Sequence, residues 1–251
     1  MGPNYSRGGF KENPQNELDR RLGRIRIMEQ KKRALVIGSS GGIGAATASE
    51  FEQMGWAVTR LSRRDDGLDV SDPESVANAL GNLEGPFDRI VIATGKLDGA
   101  GHPPEKSLAA LTAEAMADQF AINAIGPALI LQHIENLLPR DRPSKVVVLT
   151  ARVGSIGDNR LGGWYSYRAA KAAANQIVHG AAIELARKFK QSCVYAYHPG
   201  TVATPFTADY QGSHKSMPPA VAAKHLVEVM EARSPEDTGK FYDWRGDIVA
   251  W

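Results

Sequence analysis

A tyrosine and a lysine four residues apart, Tyr167 and Lys171, are the residues of this sequence best suited to proton transfer. They lie in an Ala-rich stretch of helical pattern, where this spacing places both on one helix face, one turn apart. A phenol titrates near pH ~10 in water, and a neighbouring ammonium favours the phenolate and lowers that pKa. The pair therefore predicts a proton donor and acceptor that works near neutral pH.

A glycine-rich turn lies far upstream of this pair. The apolar run 34–37 predicts a buried strand, the run Gly38–Gly44 follows it directly, and a helical pattern comes next. Glycine allows a tight turn and a close approach of the backbone to a pyrophosphate, while the helix N-terminus offers free N–H groups. This context predicts dinucleotide binding. The expected contacts are Gly38, Ser39, Ser40, Gly42, Ile43 and Gly44.

The end of the second predicted strand, 57–61, bears on the choice of dinucleotide. An NAD site places a carboxylate there to bind the ribose 2′-hydroxyl. This chain instead continues with Ser62, Arg63 and Arg64. A guanidinium pairs with a 2′-phosphate through two hydrogen bonds, so the sequence predicts NADP(H) with Arg63 as its contact. The alternative is that these arginines are exposed charges without a ligand.

Strand and helix patterns alternate along the chain, which predicts βαβ units and a parallel sheet. We expect one α/β domain, a doubly wound parallel sheet of Rossmann type with three α/β/α layers. The loop 201–218, just after a strand, is the predicted substrate loop. The predicted strands are 34–37, 57–61, 89–92, 145–150, 194–197 and 241–242. The predicted helices are 43–54, 72–83, 112–138 (kinked or divided near Pro127), 164–189 and 219–232.

The composition of the chain argues against several classes of protein. The chain has 251 residues, 43% of them hydrophobic, and a formal net charge of +2, which implies no nucleic-acid or membrane partner. A single cysteine and no apolar stretch of about 18 residues fit a cytoplasmic protein. The histidines have no metal-ligand spacing, so no metal site is expected. We expect residues 1–32 to form a disordered or loosely attached N-terminal extension before the domain 33–251.

The motifs occur in the order that the short-chain dehydrogenase/reductase family has them, and the resemblance covers nearly all of residues 33–251. The chain is most similar to the carbonyl-reductase branch with the C-factor and sniffer proteins. The motifs that carry the resemblance are Gly38-x-x-x-Gly42-x-Gly44, Asp69-Val70, Ala93-Thr94-Gly95, Asn123, Tyr167-x-x-x-Lys171 and Pro199-Gly200 with Thr204.

This resemblance implies an NADP(H)-dependent oxidoreductase that interconverts a small aldehyde or ketone and an alcohol. Tyr167 would be the general acid and base, Lys171 would also hold the nicotinamide ribose, and Asn123 would anchor a water in a proton relay. A homodimer or homotetramer is expected. Further cofactor contacts would be Asp69, Val70, Ala93, Gly95, Pro199, Gly200, Val202 and Thr204.

One departure from the family pattern concerns the serine that hydrogen-bonds the substrate carbonyl. Ala151 occupies its position, and alanine has no donor. Ser155 is the predicted replacement, with Thr150 or no hydroxyl at all as the alternatives. The departure also leaves open a second function, a nucleotide-binding sensor or signalling protein of this fold with little or no turnover.

Overall fold

The computed structural model describes residues 31–210 and 216–251, and residues 33–251 form one compact unit. The predicted N-terminal extension therefore lies outside the described residues, apart from its last two positions. The predicted substrate loop 201–218 is described except for residues 211–215.

Six parallel strands form one sheet in the order β2-β1-β3-β4-β5-β6. Helical segments connect them, which confirms the predicted doubly wound α/β fold. The strand order reverses between β1 and β3, the position where open sheets of this type bind ligands beyond the carboxyl ends of the strands. The strands are β1 Arg33–Ile37, β2 Ala57–Leu61, β3 Arg89–Ile92, β4 Ser144–Leu149, β5 Ser192–His198 and β6 Phe241–Asp243.

The helices cover both faces of the sheet. They are α1 Gly42–Gln53, α2 Arg63–Asp66, α3 Pro73–Gly81, α4 Ala113–Phe120, α5 Gly126–His133, α6 Tyr165–Lys188 and α7 Pro219–Ala232. Asp72 begins α3, since its side chain accepts a hydrogen bond from Glu74 N, and Pro73 occupies the first turn, where its missing N–H costs nothing.

Two apolar clusters form the core, one on each face of the sheet. In β1, Leu35 and Ile37 belong to the cluster that includes residues of α5 and α6. Ala34 and Val36 belong to the cluster that includes residues of α1 and α7. All four side chains are fully buried, as expected for a central parallel strand covered on both faces.

The predicted break in the helix 112–138 takes a different form from a proline kink. A π-helical turn, Ala121–Ile125, joins α4 to α5, and the chain stays helical through it. Pro127 lies in the first turn of α5, directly after this π-helical turn. The wide turn contains Asn123, and π-turns inside helices often lie at functional sites.

Candidate active site

A cavity of about 560 Å³ opens at the carboxyl ends of β1, β3, β4 and β5. It lies at the reversal of strand order and is lined by several sequence-predicted residues. These are Gly42, Ile43, Gly44, Ala93, Gly95, Tyr167, Lys171, Pro199, Gly200, Val202 and Thr204. The predicted residues that do not line it are Gly38, Ser39, Ser40, Arg63, Asp69, Val70, Asn123 and Ser155.

The glycine turn is built by close backbone contacts. Gly38 has a φ of +88°, and a Cβ there would lie 2.7 Å from the carbonyl oxygen of Ala93. A Cβ on Gly44 would collide with the carbonyl oxygen of Gly38. Gly38 N and Ser39 N both donate to the carbonyl oxygen of Leu61, at 2.8 and 3.1 Å. The Ser39 hydroxyl donates to that same oxygen and so stabilises the turn.

The N-terminus of α1 faces the cavity through Gly42, Ile43 and Gly44. Gly41 precedes the helix and offers no side-chain cap, and no side chain among the described residues hydrogen-bonds the first N–H groups. Free N–H groups and the positive end of the helix dipole favour an anion such as a pyrophosphate. The geometry of the turn therefore fits the predicted dinucleotide.

Tyr167 and Lys171 meet at the cavity from successive turns of α6, and both side chains are buried. The Lys171 ammonium lies 5.8 Å from the centre of the Tyr167 ring and donates to the carbonyl oxygen of Leu149 at 3.4 Å. The rings of Trp164 and Phe206 pack edge-on against Tyr167, with centroids at 6.1 and 6.5 Å. The tyrosine thus packs against two aromatic side chains.

Burial controls the protonation of the pair. It raises the pKa of the Tyr167 phenol above its ordinary value and lowers the pKa of Lys171 to about 8. The sequence argument expected the ammonium to lower the phenol pKa, and the structure gives the opposite direction. The reason is that both groups are desolvated, which disfavours each charged form more than their mutual attraction favours it. Tyr167 is therefore a neutral phenol that can donate a proton.

Asn123 does not line the cavity itself and is fully buried. Its Oδ1 accepts from Lys96 N at 3.1 Å, while its Nδ2 donates to the carbonyl oxygen of Lys96 and to Gln119 Oε1. A Cβ on Gly95 would lie 3.1 Å from Asn123 Oδ1 and 3.5 Å from Lys171 Nζ. The side chain therefore fixes the loop after β3 beside the lysine, and its part in a proton relay stays a prediction.

The structure does not bring Ser155 into the cavity. Ser155 is buried, and its hydroxyl accepts from Asp158 N at 3.0 Å. A short 3₁₀ turn, Arg152–Gly154, separates it from Ala151, which does line the cavity. Ser155 thus stabilises a loop turn instead of facing a substrate. Thr150 also lines the cavity, but its Oγ1 is enclosed and has no hydrogen-bond partner.

The end of β2 carries the predicted 2′-phosphate contact. Arg64 pairs with Asp65 at 2.8 Å, and Ser62 N donates to the Asp66 carboxylate at 2.7 Å. Arg63 is exposed and forms no ion pair with any other part of the chain that the structure describes. Both carboxylates are thus occupied locally, and the Arg63 guanidinium, without an ion pair in the described ranges, is near enough to Asp69 to help lower the pKa of that carboxyl.

The predicted adenine contacts, Asp69 and Val70, lie on the loop before α3. Asp69 accepts hydrogen bonds from the hydroxyl and the N–H of Ser71, and these bonds lower the pKa of its carboxyl. Val70 is buried, and a Cβ on Gly126 would lie 2.9 Å from its Cγ2. Their contact with an adenine ring stays a prediction.

Sequence reasoning missed the residues that fix the start of α6. The buried Glu105 carboxylate accepts hydrogen bonds from Ser166 N, at 3.2 Å, and from the Ser166 hydroxyl. The carbonyl oxygen of Glu105 accepts from Trp164 N, and Trp164 has a φ of +52°. Glu105 thus caps the helix that carries Tyr167. No local pattern could reveal it, because the partners are 61 residues apart.

Two other kinds of site are not found in residues 31–210 and 216–251. No group of three or more histidine, cysteine, aspartate or glutamate side chains is arranged to hold a metal ion. No helix in these ranges is long and apolar enough to cross a membrane.

Comparison with known families identifies the class of protein. A family model described as enoyl-(acyl carrier protein) reductase matches residues 37–242. The chain belongs to the short-chain dehydrogenase/reductase family, as the sequence predicted, and is an oxidoreductase of that family.

Individual relatives agree with this assignment. The 1-hydroxy-2-glutathionyl-2-methyl-3-butene dehydrogenase of Rhodococcus sp. strain AD45 is 30% identical over 229 residues, which cover 86% of this chain and 98% of that protein. The C-signal protein of Myxococcus xanthus is 32% identical over 136 residues, or 54% of this chain and 78% of its own. A short-chain dehydrogenase/reductase from Burkholderia multivorans, solved with bound NADP, has a TM-score of 0.75 at 25% identity and covers 88% of this chain and all of its own.

Proposed function

We propose that this protein is an NADP(H)-dependent oxidoreductase that interconverts an aldehyde or ketone and an alcohol, with Tyr167 as general acid and base. One observation carries the proposal. Tyr167 and Lys171 are buried side by side in the same cavity that the glycine turn lines. A phenol and an ammonium beside a pyrophosphate cradle are the groups that a carbonyl reduction requires.

The cavity residues fit a nicotinamide dinucleotide. The N–H groups at the start of α1 would hold the pyrophosphate, and Lys171, beneath Gly95, would hold the nicotinamide ribose. Pro199, Gly200, Val202 and Thr204 line the cavity beyond β5, where the nicotinamide end would lie. When bound, the reduced cofactor would supply the hydride to the carbonyl carbon.

Side chains of the protein itself transfer the proton. The Tyr167 hydroxyl donates its proton to the carbonyl oxygen as the carbon is reduced, and the product is the alcohol. Because the pKa of Lys171 is about 8, most of this amine is charged at neutral pH. The ammonium stabilises the phenolate left on Tyr167, which regains its proton from solvent. The reverse sequence removes the proton of an alcohol.

Arg63 supports NADP(H) as the cofactor. It is exposed at the end of β2 without an ion pair in the described ranges, whereas the nearby carboxylates of Asp65 and Asp66 are occupied by Arg64 and Ser62. A carboxylate here would favour NAD, and an exposed guanidinium favours the 2′-phosphate. The bound NADP of the Burkholderia structure is consistent with this choice.

The substrate is expected to be a small molecule, and the protein a homodimer or homotetramer. The name of the Rhodococcus relative describes oxidation of a hydroxyl-bearing compound, which fits alcohol and carbonyl chemistry. A nucleotide-binding sensor with little turnover is the second candidate, and the methyl side chain of Ala151 favours it. The buried pair of Tyr167 and Lys171 favours the enzyme, because a binding protein needs no proton donor.

The test is NADPH oxidation in the presence of a panel of aldehydes and ketones. We expect turnover by the wild type and a loss of about 10²–10⁴-fold in kcat for Tyr167→Phe, which removes only the donor. Tyr165→Phe is the matched control, because Tyr165 lies on the same helix but does not line the cavity. Equal rates for Tyr167→Phe and the wild type would contradict the catalytic role, and no turnover by either would favour the sensor.

A further inference from the structure

The substrate side of the cavity lacks the hydroxyl that polarises the carbonyl. Ala151 has a methyl group at that position, and Ser155 is committed to Asp158 N. Thr150 Oγ1 is enclosed, so a substrate cannot reach it without a rearrangement. A donor aimed at the carbonyl oxygen is commonly a large contribution to catalysis. A different side chain must supply it if this site reduces carbonyls.

His198 is placed to do so. Leu149 of β4 is paired with Tyr197 of β5, and Thr150 N donates to the carbonyl oxygen of Tyr197 at 2.8 Å. The strand ends therefore bring His198 beside the segment of Thr150 and Ala151. All three residues line the cavity.

The alternation of β5 gives the direction of the His198 side chain. Val194 and Ala196 belong to the apolar cluster on the α6 face of the sheet, whereas Tyr195 and Tyr197 belong to the opposite cluster. Side chains two residues apart share a face, so His198 lies on the α6 side. Tyr167 and Lys171 approach the cavity from the same side, because α6 carries them.

Within the described ranges, no protein group hydrogen-bonds the His198 imidazole. Its Nδ1 is enclosed, as Thr150 Oγ1 is, whereas Nε2 is not enclosed and is the ring nitrogen that a ligand in the cavity can reach. Burial lowers the pKa of His198 to about 4, so the ring is neutral near pH 7 and retains one N–H. An unsatisfied polar group of this kind is costly unless a ligand completes it.

The charged side chains near His198 are paired with groups other than the imidazole. Asp243 is opposite His198 in the strand register, but its Oδ1 accepts from Arg245 N and Asp247 N. Its Oδ2 lies 3.6 Å from Arg152 Nη1, and Arg152 also pairs with Asp158. No hydrogen bond joins the Asp243 carboxylate to the imidazole.

We propose that the His198 imidazole donates a hydrogen bond to the substrate carbonyl oxygen and replaces the serine that is absent at Ala151. The inference rests on the proposed function. The imidazole keeps its own proton throughout, and Tyr167 remains the group that transfers a proton to the oxygen. His198 thereby fixes the position of the carbonyl between itself and Tyr167.

Kinetics give the first test, with a carbonyl compound that the wild type reduces. We expect His198→Phe to lower kcat/KM about 10- to 100-fold, mainly through kcat, and to leave NADPH affinity within about 2-fold. His198→Gln places an amide nitrogen near the position of Nε2 and should retain most of the activity, whereas His198→Asn places it near the enclosed Nδ1 and should not. His133→Gln is the matched control, since His133 lies on α5 and does not line the cavity.

A serine at position 151 separates this role from a structural one. In the His198→Phe background, Ala151→Ser should restore about 10-fold of the lost activity, whereas in the wild-type background it should raise activity less than about 3-fold. If His198→Phe costs nothing, or if Ala151→Ser gives the same factor in both backgrounds, the assignment is overturned.

Binding of an unreactive carbonyl tests the inference without turnover. An aliphatic primary amide, whose carbonyl is not reduced, is titrated into the protein saturated with NADPH. We expect about 10-fold weaker amide binding for His198→Phe and a change in the ¹⁵N resonances of His198 in the wild type. Equal amide affinity in the two proteins, or no amide binding by either, overturns the role of His198 even if carbonyls are reduced. A wild type that binds the amide through His198 but reduces no carbonyl contradicts only the proposed function.

Discussion

The two halves of the cavity differ in how completely their groups are satisfied. On the β1 side, Gly38 and Gly44 pack closely against neighbouring backbone, and Gly38 N, Ser39 N and the Ser39 hydroxyl donate hydrogen bonds within the protein. On the side of β4 and β5, Thr150 and His198 carry buried polar atoms without partners. The first half needs no rearrangement to hold a pyrophosphate, whereas in the second half we expect a ligand to hydrogen-bond the His198 ring and the Thr150 hydroxyl to stay enclosed. Cofactor binding should therefore tolerate little change, and substrate binding should respond to single hydrogen bonds.

The largest effect should come from the glycine turn. In Gly44→Ala the new Cβ would collide with the backbone oxygen of Gly38, and backbone cannot move aside cheaply. We expect a loss of at least about 3 kcal/mol in the free energy of unfolding, measured by urea denaturation. Gly81→Ala is the control, because its Cβ would meet nothing within 4 Å, and it should be neutral or slightly stabilising. Similar stability of the two variants would show that the turn is not tightly packed.

The cap on α6 should give the next largest effect. Glu105→Ala leaves Ser166 N without its buried acceptor, so we expect a loss of about 2–3 kcal/mol in unfolding free energy. The freed helix start should also lower kcat more than it changes KM, because Tyr167 lies one residue beyond Ser166. Glu105→Gln keeps an acceptor and is the matched variant. An unchanged kcat in Glu105→Ala would mean that this cap does not position the tyrosine.

The preference for NADPH over NADH should respond less strongly, and the change should affect NADPH affinity alone. We expect Arg63→Ala to weaken NADPH binding about 10- to 100-fold and to change NADH binding less than about 2-fold, because only NADPH has the 2′-phosphate. Calorimetric titration measures both affinities. Arg64→Ala is the matched control, since Arg64 already pairs with Asp65 and should change NADPH affinity much less. Equal effects on both cofactors in Arg63→Ala would contradict the contact.

The smallest effect should be a pH dependence of stability. The pKa of Lys171 is about 8 in the folded protein, below its ordinary value of 10.5, so the unfolded chain binds this proton more tightly. The contribution of Lys171 to stability should therefore rise by about 1–2 kcal/mol between pH ~8 and pH ~10. The buried Cys193 and tyrosines have raised pKa values and act in the opposite direction, so the contribution is measured as the difference in unfolding free energy between the cofactor-free wild type and Lys171→Met. A difference that moves against the wild type as the pH rises through this interval would contradict the direction of the shift.

The sequence predicts local features of the fold and site well. The strands follow from apolar runs, the glycine turn from its place between strand and helix, and the approach of Tyr167 to Lys171 from helical spacing. The features that it missed depend on distant contacts. Glu105 caps a helix 61 residues away, and His198 reaches Thr150 through strand pairing.

Two predictions failed because burial and loop path cannot be derived from spacing. Ser155 lies at a suitable interval before Tyr167, but the 3₁₀ turn after Ala151 directs it into a hydrogen bond with Asp158. The direction of the Tyr167 pKa shift followed from a lysine neighbour, but desolvation of the whole pair determines it. Residues 211–215 of the predicted substrate loop lie outside the described residues, so their contact with substrate stays a prediction.

The backbone before α6 limits how the substrate range can be altered. Gly162, Gly163 and Trp164 all have left-handed φ angles, +63°, +65° and +52°, and for tryptophan this conformation is unfavourable by about 1 kcal/mol. Trp164→Gly would relax that strain and widen the cavity beside Tyr167, but it would also remove the ring that packs against the phenol. A broader substrate range and a well-placed proton donor therefore make opposite demands on position 164.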